Sequence, residues 1–140
     1  MKHLYEFTVH GEPVAKGRPR FARRGKFVQT YTPQKTISYE SLVRMAFQQV
    51  YPHGEPITGA IKMMVIVFKE PPKSWSKKKR DQAIFGLIQP TGKPDCDNYG
   101  KIVLDALNSI AYVDDSQVIQ LFVEKKYCNE SRVFVSVGEL

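Results

Sequence analysis

The sequence predicts a single domain of the α/β (α+β) class, one mixed β-sheet packed by helices. Three observations predict it. The chain has 140 residues, one domain's length, enough to bury roughly 70% of the surface an unfolded chain exposes. Period-two and 3.6-period apolar patterns alternate along it only loosely, which favours a mixed sheet over a strictly parallel one. The composition, 42% hydrophobic and 25% charged with nine Gly and nine Pro dispersed, is that of a globular protein. No repeat, linker or low-complexity tract divides residues 1–140.

Leu4 to His10 alternates apolar and polar residues and predicts a strand ended by Gly11 and Pro13. Residues 16–26 place six positive charges in eleven positions with two Gly and a Pro, a composition expected of an exposed loop or arm. Phe27 to Tyr31 is a short second strand. Thr36 to Tyr51 predicts an amphipathic helix through Ile37, Leu42, Val43, Met45, Ala46, Phe47 and Val50. Pro52, Gly54 and Pro56 break it. Ala60 to Phe68, rich in Val, Ile and Met, predicts a buried strand. Ser76 to Gly86 predicts a helix capped by Ser76, with Ala83, Ile84 and Leu87 as its apolar side. Gln89 to Pro94 is a loop, and a helix over about 98–109 buries Ile102, Val103, Ala106, Leu107 and Ile110. Ala111 to Ser116 is a turn; Gln117 to Tyr127 and Arg132 to Val137 are strands.

The longest apolar run, Met63 to Phe68, has six residues and excludes a membrane-spanning helix. The first six residues already include Glu6 and lack a secretory apolar core. Cys96 and Cys128 make neither a disulfide framework nor a zinc pair. A cytoplasmic protein with reduced thiols and no membrane partner is expected.

Charge is unevenly spread. Residues 1–50 hold nine basic and three acidic groups, residues 51–94 eight and three, and residues 95–140 four and eight. The cationic two thirds attract polyanions, of which nucleic acid is the most abundant. The candidate phosphate contacts are Lys16, Arg18, Arg20, Arg23, Arg24 and Lys26 in the arm, and Lys77, Lys78, Lys79 and Arg80. The latter four open a helix, where cations oppose the dipole unless an anion visits. Phe21, Phe27 and Tyr31 are suited either to stacking on bases or to the core.

Against this background five of the six aspartates fall between residues 95 and 115: Asp95, Asp97, Asp105, Asp114 and Asp115. Asp95 and Asp97, two apart in an extended segment, aim at one point. Asp97, Lys101 and Asp105 then follow one helical ridge, and one of Asp114 and Asp115 is expected to return from the next turn and complete the cluster. Carboxylates gathered in this way repel unless they hold a divalent cation, the agent that activates water and stabilises charge in phosphodiester hydrolysis. Taken singly, each has an ordinary explanation as a helix cap, a turn residue or a surface ion pair.

The segments Gly11-Glu12-Pro13-Val14-Ala15-Lys16-Gly17-Arg18-Pro19-Arg20-Phe21, Tyr31-Thr32-Pro33, Lys93-Pro94-Asp95-Cys96-Asp97-Asn98 with Lys101, Asp105-Ala106-Leu107-Asn108 and Asp114-Asp115-Ser116-Gln117-Val118 together resemble the RusA family of Holliday junction resolvases. The resemblance runs from about residue 5 to residue 137. It implies a RusA-like fold over residues 1–140 and a homodimeric endonuclease. It further implies that Mg²⁺, or Mn²⁺ in its place, serves hydrolysis, and that the substrate is four-way junction DNA met in recombination and repair. It places metal-binding carboxylates at Asp95, Asp97 and Asp115, with Asp114 as a possible further ligand, and a catalytic lysine at Lys101. Phosphate contacts position DNA without reading sequence, and binding should fall roughly 10³- to 10⁵-fold between about 50 and 200 mM salt for about 6–10 contacts. Two alternatives stand beside this reading. Pro94-Asp95 with Glu124 and Lys126 fits a loose PD…ExK nuclease pattern, and a non-catalytic DNA-binding module needs no metal.

Overall fold

The computed structural model describes residues 2–140, except for the side chain of Arg24. The chain runs β1 (Leu4–His10), β2 (Arg20–Arg24), β3 (Phe27–Tyr31), α1 (Gln34–Val50), β4 (Ile61–Lys69), α2 (Lys77–Ile84), α3 (Cys96–Leu107), a 3₁₀ turn at Asp115–Gln117, β5 (Val118–Tyr127) and β6 (Arg132–Glu139). A mixed four-stranded sheet has the order β1-β6-β4-β5. β6 is antiparallel to both neighbours, whereas β4 and β5 run parallel. A parallel pair needs a long crossover; here the chain between them carries α2 and α3.

Strand parity decides which face is buried. Ile61, Met63, Val65 and Val67 of β4 are buried, as are Tyr5, Phe7 and Val9 of β1 and Val133, Val135 and Val137 of β6. α1 lies over β1, α3 lies over β4 and β5, and the two helices pack on each other, closing the core on that face. Phe47 of α1 meets Tyr5 and Phe7 edge-on at ring centroid distances of 5.1 and 5.6 Å, a geometry that suits the ring quadrupoles. Among the described residues no helix is long and apolar enough to cross a membrane.

The mixed α+β class is as expected, and three elements differ from expectation. α1 buries Thr36, Tyr39, Val43 and Phe47, a narrow stripe, because only one side of the helix meets the sheet and α3; Ile37, Leu42, Met45 and Val50 stay exposed. α2 stops at Ile84, so Ala83 is its only buried residue and Leu87 lies beyond it, exposed. Its start is as expected, with the Ser76 hydroxyl accepting from the Lys79 amide at 3.2 Å.

Residues 16–26, expected to be one exposed loop, divide in two. The first residues form a strap: the Lys16 amide donates to the Asn98 carbonyl at 2.9 Å, and the Gly17 amide donates to Thr36 Oγ1 at 3.1 Å. A Cβ at Gly17 would stand 2.9 Å from that same oxygen, so a larger residue would have to displace the Thr36 side chain at this crossing. The rest is the β2–β3 hairpin, turning at Gly25, whose φ is +61°. Strand structure survives the charge there because the ribbon is separate from the main sheet and every described residue of β3 is exposed. Phe21, Phe27 and Tyr31 are therefore not core residues; the two phenylalanines are 72% and 76% exposed.

Candidate active site

The site is built around the two ends of α3. At its amino end Asp95 is the N-cap and Asp97 sits in the first turn, where carboxylates are favoured by the helix dipole. Asp95 is half-buried and Asp97 exposed. Lys93 Nζ lies 2.9 Å from Asp95 Oδ2; Asp97 makes no ion pair among the described residues. The loop that delivers Asp95 is fixed from the sheet: Lys125 Nζ donates to the carbonyls of Gly92 and Pro94 at 2.8 and 3.0 Å. α3 comes close to β5 because Gly100 faces it. A Cβ there would stand 3.0 Å from Val123 Cγ2.

At the carboxyl end the carboxylates of Asp105 and Asp114 are engaged. Lys101 Nζ pairs with Asp105 Oδ1 at 2.9 Å, and Lys16 Nζ bridges Asp105 Oδ2 at 2.9 Å and Glu40 Oε2 at 3.1 Å. Burial pushes the Asp105 carboxyl up, but the hydrogen bonds from Lys16 and Lys101 outweigh it and hold the group below its ordinary range. Lys16 mirrors this: burial pulls its ammonium down, and Asp105 and Glu40 raise it above the usual lysine value. The Tyr112 hydroxyl donates to the Leu104 carbonyl at 2.6 Å. Burial first, then the nearby charges of Asp115, Asp105 and Asp114, push that phenol well above its ordinary value. Asp114 caps the 3₁₀ turn, accepting from the Ser116 amide at 3.0 Å while its own amide donates to Gln117 Oε1 at 2.8 Å. The Asp115 amide donates to Asn108 Oδ1 at 3.1 Å.

That last bond corrects the expected cluster. Asn108 is the C-cap of the 12-residue α3, which at about 1.5 Å per residue is about 18 Å long. Asp115 returns to the carboxyl end of the helix, whereas Asp95 and Asp97 stand at the amino end. Within one chain Asp114 and Asp115 do not complete the group at Asp95, and among the described residues no three His, Cys, Asp or Glu side chains are gathered to hold a metal ion. Asp97, Lys101 and Asp105 share one ridge of α3 as expected, but Lys101 pairs with Asp105 and Lys16 fills the far side of that carboxylate.

Beside the amino end opens a cleft of about 620 Å³, walled by Lys16, Arg18, Arg20, Lys35 and Lys69 against the single acid Glu12. Pro94 and Asn98, which flank Asp95 and Asp97, and Tyr99 complete it. Burial, with a smaller contribution from Glu12, pushes the Tyr99 phenol up to about 12. Of the expected phosphate contacts, Arg18, Arg20, Arg23, Lys26, Lys77 and Lys78 are exposed, whereas Arg24's side chain lies outside the described residues. Lys79, also exposed, packs over the Trp75 ring, 4.1 Å from its centroid, and Arg80 is half-buried, its Nε without a partner among the described residues. Lys16 is committed to Asp105 and Glu40 and is not a free cation. The PD…ExK alternative loses its geometry. Lys125, not Lys126, reaches Pro94, so alternation turns Glu124 and Lys126 to the opposite face, where they pair with each other at 3.2 Å.

Residues 10–138 match the family model for endodeoxyribonuclease RusA. The chain belongs to the RusA family. The match takes in the strap, the hairpin, the cleft and both ends of α3. Over 137 residues the chain is also 47% identical to the uncharacterised protein YqaN of Bacillus subtilis (strain 168), with 96% of each chain covered. A RusA family member is an endodeoxyribonuclease, so the reaction class is hydrolysis of the DNA backbone. Two residues of this site escape a reading of motifs, Lys69 and Lys125; the signal that could have found them is strand parity, since each continues the inward series of its strand. Lys93 opens the segment read with Asp95 and Asp97, and the structure adds its ion pair with Asp95.

Proposed function

We propose that this RusA family protein cuts four-way DNA junctions in recombination and repair, as a homodimer that depends on Mg²⁺ or Mn²⁺. The observation that carries the reading is the pair Asp95 and Asp97 at the amino end of α3, directly beside a cleft walled by five cations. Two hard carboxylate oxygens fit a divalent cation, and when bound the ion would supply a water nucleophilic at neutral pH and charge for the developing phosphorane. The chain's own groups do the rest. The exposed lysines and arginines of the hairpin, α2 and the cleft hold the DNA arms by their phosphates. Lys93 and Lys125 fix the loop that presents Asp95. Lys101, one turn along from Asp97 and solvent-exposed, exchanges Asp105 for the reacting phosphate and stabilises its charge.

The dimer supplies what one chain lacks. A two-fold relation that runs α3 antiparallel to its copy sets Asp115 of one chain beside Asp95 and Asp97 of the other. A junction with two-fold symmetry then meets two sites. The primary test offers EDTA-treated protein a four-way junction, a linear duplex and a single strand, each with and without Mg²⁺. Paired nicks confined to the junction with Mg²⁺ are expected; equal cutting of the duplex, or none of the junction, overturns the reading. A mixture of Asp97→Asn and Asp115→Asn, each inactive alone, tests the shared site. If Asp115 acts across the dimer, mixed dimers keep one intact site and nick one strand. If it acts within its own chain, the mixture stays dead.

A further inference from the structure

We propose that the carboxyl ends of β4 and β5 form a phosphate-binding site in which Lys69, with the charge of Lys125 close behind it, holds a backbone phosphate of the DNA strand next to Asp95 and Asp97. This deepens, and rests on, the junction-endonuclease reading.

Lys69 ends the inward series Ile61, Met63, Val65 and Val67, so parity aims it toward the helices rather than into open solvent. It is half-buried and stands in the wall of the cationic cleft. In the parallel register Lys69 lies opposite Tyr127 and Val67 opposite Lys125, which makes Lys69 and Lys125 diagonal neighbours on one face. Two ammonium groups are thus held near each other at the end of the sheet. Lys125 has two carbonyl partners. Lys69 has none: it enters no ion pair or side-chain hydrogen bond among the described residues, and Glu12 is the one acid of the cleft. Burial, then repulsion from Lys125, pulls its ammonium below the ordinary lysine range, opposed only weakly by Glu12.

A lysine placed for stability finds a carboxylate, as Lys16 does. A lysine left half-buried beside another cation raises the energy of the free protein, and an arriving anion relieves it. The position suits an anion as well. Ligands of open α/β sheets collect beyond the carboxyl ends of parallel strands, and here the amino end of α3 faces the same space through Pro94 and Asn98.

The test compares Lys69→Gln, Lys69→Arg and, as a control on the opposite face of β4, Lys62→Gln. Junction binding without metal is measured across salt concentrations. One lost phosphate contact lowers the slope of log K against log salt by about 0.9, which is about an eightfold loss of affinity at about 0.1 M referred to 1 M salt. That change is expected for Lys69→Gln alone, with Lys69→Arg restoring the wild-type slope and the melting temperature of Lys69→Gln equal to or above wild type. A slope for Lys69→Gln equal to those of wild type and Lys62→Gln overturns the site, as does destabilisation of Lys69→Gln that Lys69→Arg does not repair. Melting in inorganic pyrophosphate separates this proposal from the junction reading. A rise in the wild type that is absent in Lys69→Gln supports the anion site even for a protein that ignores junctions. The same rise in both overturns it. A pyrophosphate effect without any change of DNA slope assigns the site to small anions and overturns the DNA phosphate.

Discussion

The two ends of α3 carry the same residue type in opposite conditions. At the amino end Asp95 and Asp97 are solvent-accessible, one paired with a mostly exposed lysine and the other with none among the described residues. At the carboxyl end Asp105 is held between two lysines, and Asp114 is folded into a turn. The difference teaches that aspartate density is not a site in itself. Acids whose lone pairs are already met by ammonium or amide groups hold the fold, whereas acids left open at a helix start beside a cationic cleft are available for chemistry. Asp115 stands at the carboxyl end by position, yet its carboxylate, unlike its amide, has no partner among the described residues.

The largest expected effect tests the amino end. Asp97→Asn should lower junction cleavage at least about 10³-fold, the scale of losing an essential charge-stabilising group. Binding should be equal or tighter, as a gel-shift assay without metal would show. Lost binding with unchanged cleavage per bound complex sinks the assignment of Asp97. Asp115→Asn should match it in activity yet leave the melting temperature near wild type, whereas Glu124→Gln should keep full activity. Inactivation by Glu124→Gln would return the PD…ExK pattern to consideration.

The carboxyl end is broken in stability rather than chemistry. Asp105→Asn should lose about 1–2 kcal/mol, less than a fully buried pair because solvent reaches the cluster, read as a lower denaturant midpoint with unchanged m. The pH dependence has a definite sign. Asp105 is held below its ordinary value, so its contribution is present above about pH 4 and is lost as pH falls through the depressed folded value. Lys16 is raised, so its contribution is present below about pH 10 and is lost as pH rises through its raised value. Asp105→Asn should flatten the acid limb of a melting temperature profile; an unaltered limb would show that the cluster contributes nothing. The smallest effect is expected of Asp114→Ala, a slight drop in melting temperature with cleavage retained, which separates it from its neighbour Asp115.

Much of the fold was legible in the sequence because it depends on local periodicity. The alternation in β1 and the stripe Ile102, Val103, Ala106 and Leu107 each name their buried face without reference to anything distant, and the unbroken apolar run of β4 names a buried strand though not its inward face. α1 was legible as a helix but not in its facing. Tyr39 is buried while Met45 is exposed, and hydropathy alone ranks them the other way. The hairpin was hidden because its arginines suit a loop, and only pairing with β3 in a ribbon wet on both sides makes them strand residues.

The sequence by itself determined the family and the mixed α+β class, and it named the candidate acids with the cations of the arm and of α2, since these rest on residue type and short spacing. Only the tertiary structure decided which of them meet. α3 is a rigid rod about 18 Å long, and the chain leaves it at the end far from Asp95, so closeness in sequence between Asp97 and Asp115 is not closeness in space. Conversely β4 and β5, joined by a long crossover yet hydrogen-bonded in parallel, bring Lys69 and Lys125 together across 55 intervening residues. Side-chain chemistry is local; which side chains share a cleft is set by how rigid elements are stacked.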